Sequence, residues 1–120
     1  MPGLKKLIVL AVLVLALFAT SASADNRKEA RNQVEFGMRV AAQGLWREAI
    51  YRWERAVELD PTYAAAYNNL AIGYETAGQF DKAKQAYEKA IELDPKNTYI
   101  KQNFDLFKEI NDRAKRQNPR

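Results

Sequence analysis

The side chains that ordinarily carry catalysis are nearly missing from this chain. It has no Cys and no His, and Ser stands only at positions 21 and 23. A nucleophile worked by a neighbouring base of the usual type needs a hydroxyl or thiol beside an imidazole. The common zinc sites need Cys or His ligands. A loop that cradles phosphate needs clustered glycines, whereas the five here stand singly at 3, 37, 44, 73 and 78. What is left for acid–base work is carboxylates: Glu54 with Glu58, and Glu88 with Glu92, each pair one helical turn apart. Both pairs occupy equivalent places 34 residues apart, and recurrence marks a solvated face of a repeated unit in preference to a unique catalytic centre. The residues therefore predict no enzyme, no metal site and no cofactor.

The start of the chain reads as a targeting segment. Lys5 and Lys6 precede thirteen uninterrupted apolar residues, Leu7 to Ala19, and the small-x-small sequence Ala22-Ser23-Ala24 follows before Asp25. A basic start, a short apolar run and a small-residue site are the three parts of a secretory signal peptide. Spanning the hydrocarbon core takes about 20 apolar residues, so thirteen favour cleavage after Ala24 over a retained anchor built from residues 7–24. No Cys adjoins the site to accept a lipid. The expectation is a periplasmic or extracellular chain of residues 25–120, without disulfides and without stable membrane insertion. Removing Lys5 and Lys6 takes the basic residues from 19 to 17 against 15 acidic ones, and the net charge from +4 to +2. So mild a charge predicts no nucleic-acid partner.

Gly44 to Pro61 lies over Gly78 to Pro95 at a constant offset of 34 residues. Ala49/Ala83, Glu54/Glu88, Ala56/Ala90 and the closing Glu-Leu-Asp-Pro are identical, while Trp46/Phe80, Trp53/Tyr87 and Val57/Ile91 keep their chemical type. Each unit reads as a helix pair. Gly44 and Gly78 supply the turn between the helices, apolar residues recur three and four apart along one face, and Pro61 and Pro95 end the second helix. The helices are placed near 26–42, 46–59, 64–77, 80–93 and 97–116.

This pattern resembles the tetratricopeptide repeat. The second unit supplies Tyr67, Leu70, Ala71, Tyr74, Gly78, Ala83, Tyr87, Ala90 and Pro95. The first supplies Phe36, Gly37, Gly44, Ala49, Trp53, Ala56 and Pro61, but has Gln33 and Val40 where aromatics are usual, as suits a terminal repeat. The resemblance implies an all-α fold of antiparallel helix pairs, stacked as a short right-handed superhelix. Repeat one covers about 28–61, repeat two 62–95, and a capping helix about 96–116, making five helices after the signal. Small Gly37 and Ala71 are expected to let the paired helices approach at Ala49 and Ala83. In the fifth helix, Asp105 and Lys108 stand where a continuing stack would need a small residue and an aromatic, so this helix reads as a solvating cap. Its buried stripe is expected to be Tyr99, Ile100, Phe104 and Phe107, extending to Ile110.

The resemblance further implies a concave groove lined by the first helix of each pair, holding a peptide or helix of another protein. The outward places carry Arg31, Val34 and Met38 from the first unit, Asn68, Asn69 and Ile72 from the second, and Tyr99, Gln102, Asn103 and Leu106 from the cap. Val34, Met38, Ile72 and Leu106 would form an apolar stripe flanked by amides, a pattern suited to a peptide backbone and its anchors. Of the residues that clamp a C-terminal carboxylate in this family, only Asn69 is matched, which disfavours that mode. The expected function is a noncatalytic interaction module or scaffold of the cell envelope. The alternative is a self-associating structural protein, a homo-oligomer, because short stacks bury little surface.

Overall fold

A computed structural model describes residues 2–119, with the backbone alone for Pro2 and residues 7–23. The apolar run and most of the small-x-small site of the expected signal thus lie outside the described side chains. Five helices follow in order: α1 (Pro2–Ala42), α2 (Trp46–Leu59), α3 (Ala64–Thr76), α4 (Phe80–Leu93) and α5 (Thr98–Gln117). The last four fall within two residues of their expected bounds. α1 does not: it begins at Pro2 and merges the upstream segment with the first helix of repeat one. Residues 4–36 contain neither Pro nor Gly, so no backbone signal interrupts the helix between them.

The turns inside each pair are alike because their glycines are. Gly44 and Gly78 adopt φ of +79° and +74°, a region that L side chains rarely enter. In each turn the glycine N–H and the one after it donate back to the helix. Gly44 N–H reaches the Ala41 carbonyl at 2.9 Å and Leu45 N–H that of Val40 at 3.0 Å; Gly78 and Gln79 repeat this with Glu75 and Tyr74 at 3.0 and 2.8 Å. This pair of hydrogen bonds satisfies carbonyls that a helix end leaves open. Asn97 starts α5, its side-chain oxygen accepting from the N–H groups of Tyr99 and Ile100 at 3.1 and 3.3 Å.

α1 packs along α2, α3 along α4, and α2 joins the two pairs by packing on α3. The approach is close because small residues meet: Ala30, Ala49, Ala56, Ala66, Ala71, Ala83 and Ala90 are all fully buried. Trp53 fills the space between the pairs. Its indole lies against Gly37 of α1, where an added Cβ would stand 2.8 Å from Cδ1. The same ring meets Gly73 of α3, where a Cβ would stand 3.1 Å from Cζ3 and 2.7 Å from Cγ1 of Ile50. Its Nε1–H donates to the Val34 carbonyl oxygen at 3.2 Å, so the buried donor is satisfied. One repeat later the sizes change places. Tyr87 stands for Trp53, Ala71 for Gly37 and Phe107 for Gly73. Tyr87 and Phe107 have ring centroids 5.4 Å apart, with Phe104 stacked on Tyr87 at 5.5 Å.

Ion pairs do not orient the helices. The six among the described residues all join side chains three or four apart on one helix, and such pairs contribute only about 0.3–0.5 kcal/mol each. Cross-helix polar contacts are few and specific. Tyr74 Oη donates to Glu54 Oε1 at 2.8 Å, linking α3 to α2, and Tyr87 Oη donates to Glu75 Oε2 at 3.0 Å, linking α4 to α3. The cap differs in part from its expected stripe. Ile100 and Phe107 are buried and Phe104 is half-buried, whereas Tyr99 and Ile110 are exposed. α5 packs chiefly on α4, so its buried stripe is narrow. Lys108 lies over the Phe104 ring at 4.6 Å and pairs with Asp105 at 3.0 Å, closing that end toward water.

Two outcomes follow from this packing. Gly37→Ala should lower the unfolding free energy by about 1–3 kcal/mol by overpacking against Trp53, although Ala favours a helix over Gly by about 1 kcal/mol. Adding Trp53→Tyr reproduces the Ala71–Tyr87 match, so the double variant should lose less than the two single losses together, by about 0.5 kcal/mol or more. Urea unfolding followed by helical ellipticity measures both, and strictly additive losses would remove the size-matching account. The second outcome concerns pH. Burial, and next the facing Glu54 or Glu75 carboxylate, raises the Tyr74 and Tyr87 phenols well above their ordinary range. A phenol held neutral by the fold stabilises it fully below the unfolded value of about 10 and less and less above it. Helical signal should therefore fall in alkali above that value, and Tyr74→Phe with Tyr87→Phe should flatten the dependence.

Candidate peptide-binding groove

The first helices of the units lie side by side. α1 touches α3, and Asn103 Nδ2 of α5 donates to Asn68 Oδ1 of α3 at 3.2 Å. The face that these helices share is where the expected groove residues should appear, and the structure sorts them into two sets.

Val34 and Asn68 are not open to a ligand. Val34 is 4% exposed and belongs to the first core with Ala30, Ala49 and Trp53, while its carbonyl holds the Trp53 indole. Asn68 is 3% exposed, its amide oxygen occupied by Asn103. The causes differ: Val34 turns into the α1–α2 interface against Ala49 and Trp53, whereas Asn68 is covered from α5 by Asn103. Ile72 is half-buried and packs against the second core, beside Ala71, Tyr87 and Phe107. The apolar stripe across three helices is therefore reduced to two exposed members, Met38 at 53% and Leu106 at 57%.

Around them the structure keeps Arg31, Tyr99 and Gln102 exposed and Asn69 and Asn103 half-buried. Ile110, expected in the cap's buried stripe, is 51% exposed instead. Positions 99, 106 and 110 are spaced seven and four apart, which aligns them on one face of α5. That spacing was available in the sequence; what it lacked was the direction of the core, set by Ile100 and Phe107. Phe36 is a further exposed aromatic, at the outer edge of repeat one. The guanidinium of Arg52 sits 4.4 Å from its ring centroid and that of Arg39 5.5 Å.

The carboxylates do not converge. Glu54 accepts from Tyr74, while Glu58, Glu88 and Glu92 pair with Arg55, Lys84 and Lys89. Among the described residues no group of three or more carboxylates could hold a metal ion. The arrangement offers shape, apolar anchors and amides, which is the equipment of binding.

A family model described as Tetratricopeptide repeat matches residues 64–97, the α3–α4 pair, and another, described as TPR repeat, matches residues 39–78, which takes in α2 and α3. The small glutamine-rich tetratricopeptide repeat-containing protein 2 of Mycosarcoma maydis is 33% identical over 79 residues, covering 63% of this chain. This chain spans only 22% of that relative's length. The crystal structure of MamA superposes with a TM-score of 0.63 at 32% identity, over 68% of this chain and 47% of that one. The Arabidopsis OM64 TPR domain gives 0.68 over 75% of this chain and 74% of that one; at 24% identity this likeness concerns the fold alone. With two helix pairs in a 34-residue register, closed by one more helix, this chain is a tetratricopeptide-repeat protein.

Proposed function

We propose that this chain is an exported, noncatalytic adaptor whose groove on α1, α3 and α5 holds a largely apolar, weakly charged segment of a partner protein. Tetratricopeptide repeats are protein–protein interaction modules; the finer reading rests on the groove's own chemistry. Met38, Tyr99, Leu106 and Ile110 are apolar or aromatic and exposed on that face. Asn69, Gln102 and Asn103 stand among them, able to satisfy the backbone of a bound segment. Arg31 is the single charged side chain among the ten expected groove residues. A clamp for an anionic chain end needs several cations, so an acidic tail finds little to hold it here. Export rests on Lys5, Lys6, the run 7–19 and the small residues before Asp25. Self-association through the outer face of repeat one has less to draw on, because Arg52 and Arg39 already cover Phe36.

Two measurements test the proposal. Met38→Glu with Leu106→Glu changes exposed positions only, so helical content should persist while crosslinking to an envelope partner falls at least tenfold. Undiminished crosslinking would place the partner elsewhere. Expression in an exporting bacterium should yield a periplasmic form whose first residue is Asp25 by N-terminal sequencing. A chain that keeps Met1 and sediments with membranes would support the anchored alternative instead.

A further inference from the structure

Two clefts lie away from the groove, along the edge that carries the turns inside each helix pair. One, of about 320 Å³, is lined by Trp46, Ile50, Glu54, Ala77, Gln79 and Lys82, with Arg47 at its rim. The other, of about 470 Å³, is lined by Phe80, Asp81, Asn111 and Lys115, and again by Gln79 and Lys82. They are the same feature made twice. Trp46 and Phe80 are equivalent at the 34-residue offset, as are Ala77 and Asn111. Each aromatic starts the second helix of a pair; Ala77 caps the end of α3, and Asn111 stands at the equivalent place within α5. Because both clefts are lined by Gln79 and Lys82, they adjoin along one furrow, with Trp46 lining one and Phe80 the other.

Its charges are unequal. Arg47, Lys82 and Lys115 make no ion pair among the described residues. Two carboxylates face these three cations: Glu54, which accepts the Tyr74 hydroxyl, and Asp81 in the first turn of α4, where the helix dipole offsets part of its charge, while Lys82 stands 5.5 Å from the Tyr74 ring centroid. The furrow therefore sets an aromatic residue in each cleft beside three cations and two carboxylates, a more charged and net basic surface than the groove. We propose that it is a second docking surface, for an extended, acidic protein segment that places apolar side chains over Trp46 and Phe80 and carboxylates beside Arg47, Lys82 and Lys115.

The two tryptophans make this testable. The Trp46 indole lies in the furrow, whereas Trp53 is buried with its N–H held by Val34. The probe is an eight-residue peptide alternating phenylalanine and aspartate, acetylated and amidated at its ends. It is titrated into the ¹⁵N-labelled protein as purified from an exporting host. The Trp46 indole resonance should shift and the Trp53 resonance should stay, and Lys82→Glu with Lys115→Glu should weaken the interaction at least tenfold with the spectrum otherwise preserved. A Trp46 resonance unmoved at millimolar peptide, equal binding by the charge-reversed variant, or shifts confined to Met38, Asn69 and Leu106 would each overturn the proposal.

Discussion

The contact that organises this molecule is the Trp53 indole wedged between two glycines, Gly37 of α1 and Gly73 of α3. A ring of that size would ordinarily hold two helices apart. Here it is the surface on which three helices converge, because each neighbour presents no side chain where the ring passes. The indole N–H, whose burial would cost about 1–3 kcal/mol if it were left unmade, is answered by the Val34 carbonyl. Repeat one is thereby fastened to repeat two chiefly at this residue, with Ile50 and the Tyr74–Glu54 hydrogen bond beside it.

The second interface solves the same problem with the volumes exchanged. A smaller ring, Tyr87, faces Ala71 on one side and the large Phe107 on the other, and Phe104 stacks across it. Equivalent places thus hold different residues without changing the spacing of the stack, since what is conserved from one interface to the next is filled volume. The two hydrogen bonds from Tyr74 and Tyr87 to carboxylates of the preceding helix add direction to a packing that is otherwise apolar. Ion pairs, each confined to one helix, serve the surface.

Packing of this kind also decides what is left for a partner. Where helices pack closely, groove places such as Val34, against α2, and Asn68, under α5, pass into the interior. Where they diverge, at the free face of α5 and along the turn edge, apolar side chains stay open. The two surfaces differ in charge because they fall on different sides of the helices. The groove lies on the amide-rich face, and the turn edge gathers Arg47, Lys82 and Lys115. One small scaffold in this way carries a weakly charged face and a more strongly charged one.

The sequence by itself determined the helices, their register and their ends. The 34-residue offset, Gly44 and Gly78 at the turns, and Asp-Pro after each second helix are local signals that act within a few residues. The same repeat marked the chain as one built from protein–protein interaction modules. α1 escaped because the sequence marks no stop between residues 4 and 36, so the upstream segment runs into repeat one without a break in the backbone. Only the tertiary structure decided which outward places stay outward. Val34 and Met38 are one turn apart with similar apolar side chains, yet one is core and the other open. Ile110 and Phe107 part company in the same way. Burial at such positions depends on how far each helix reaches over its neighbour, which is set by side-chain volumes tens of residues away, Trp53 against Gly73 foremost among them.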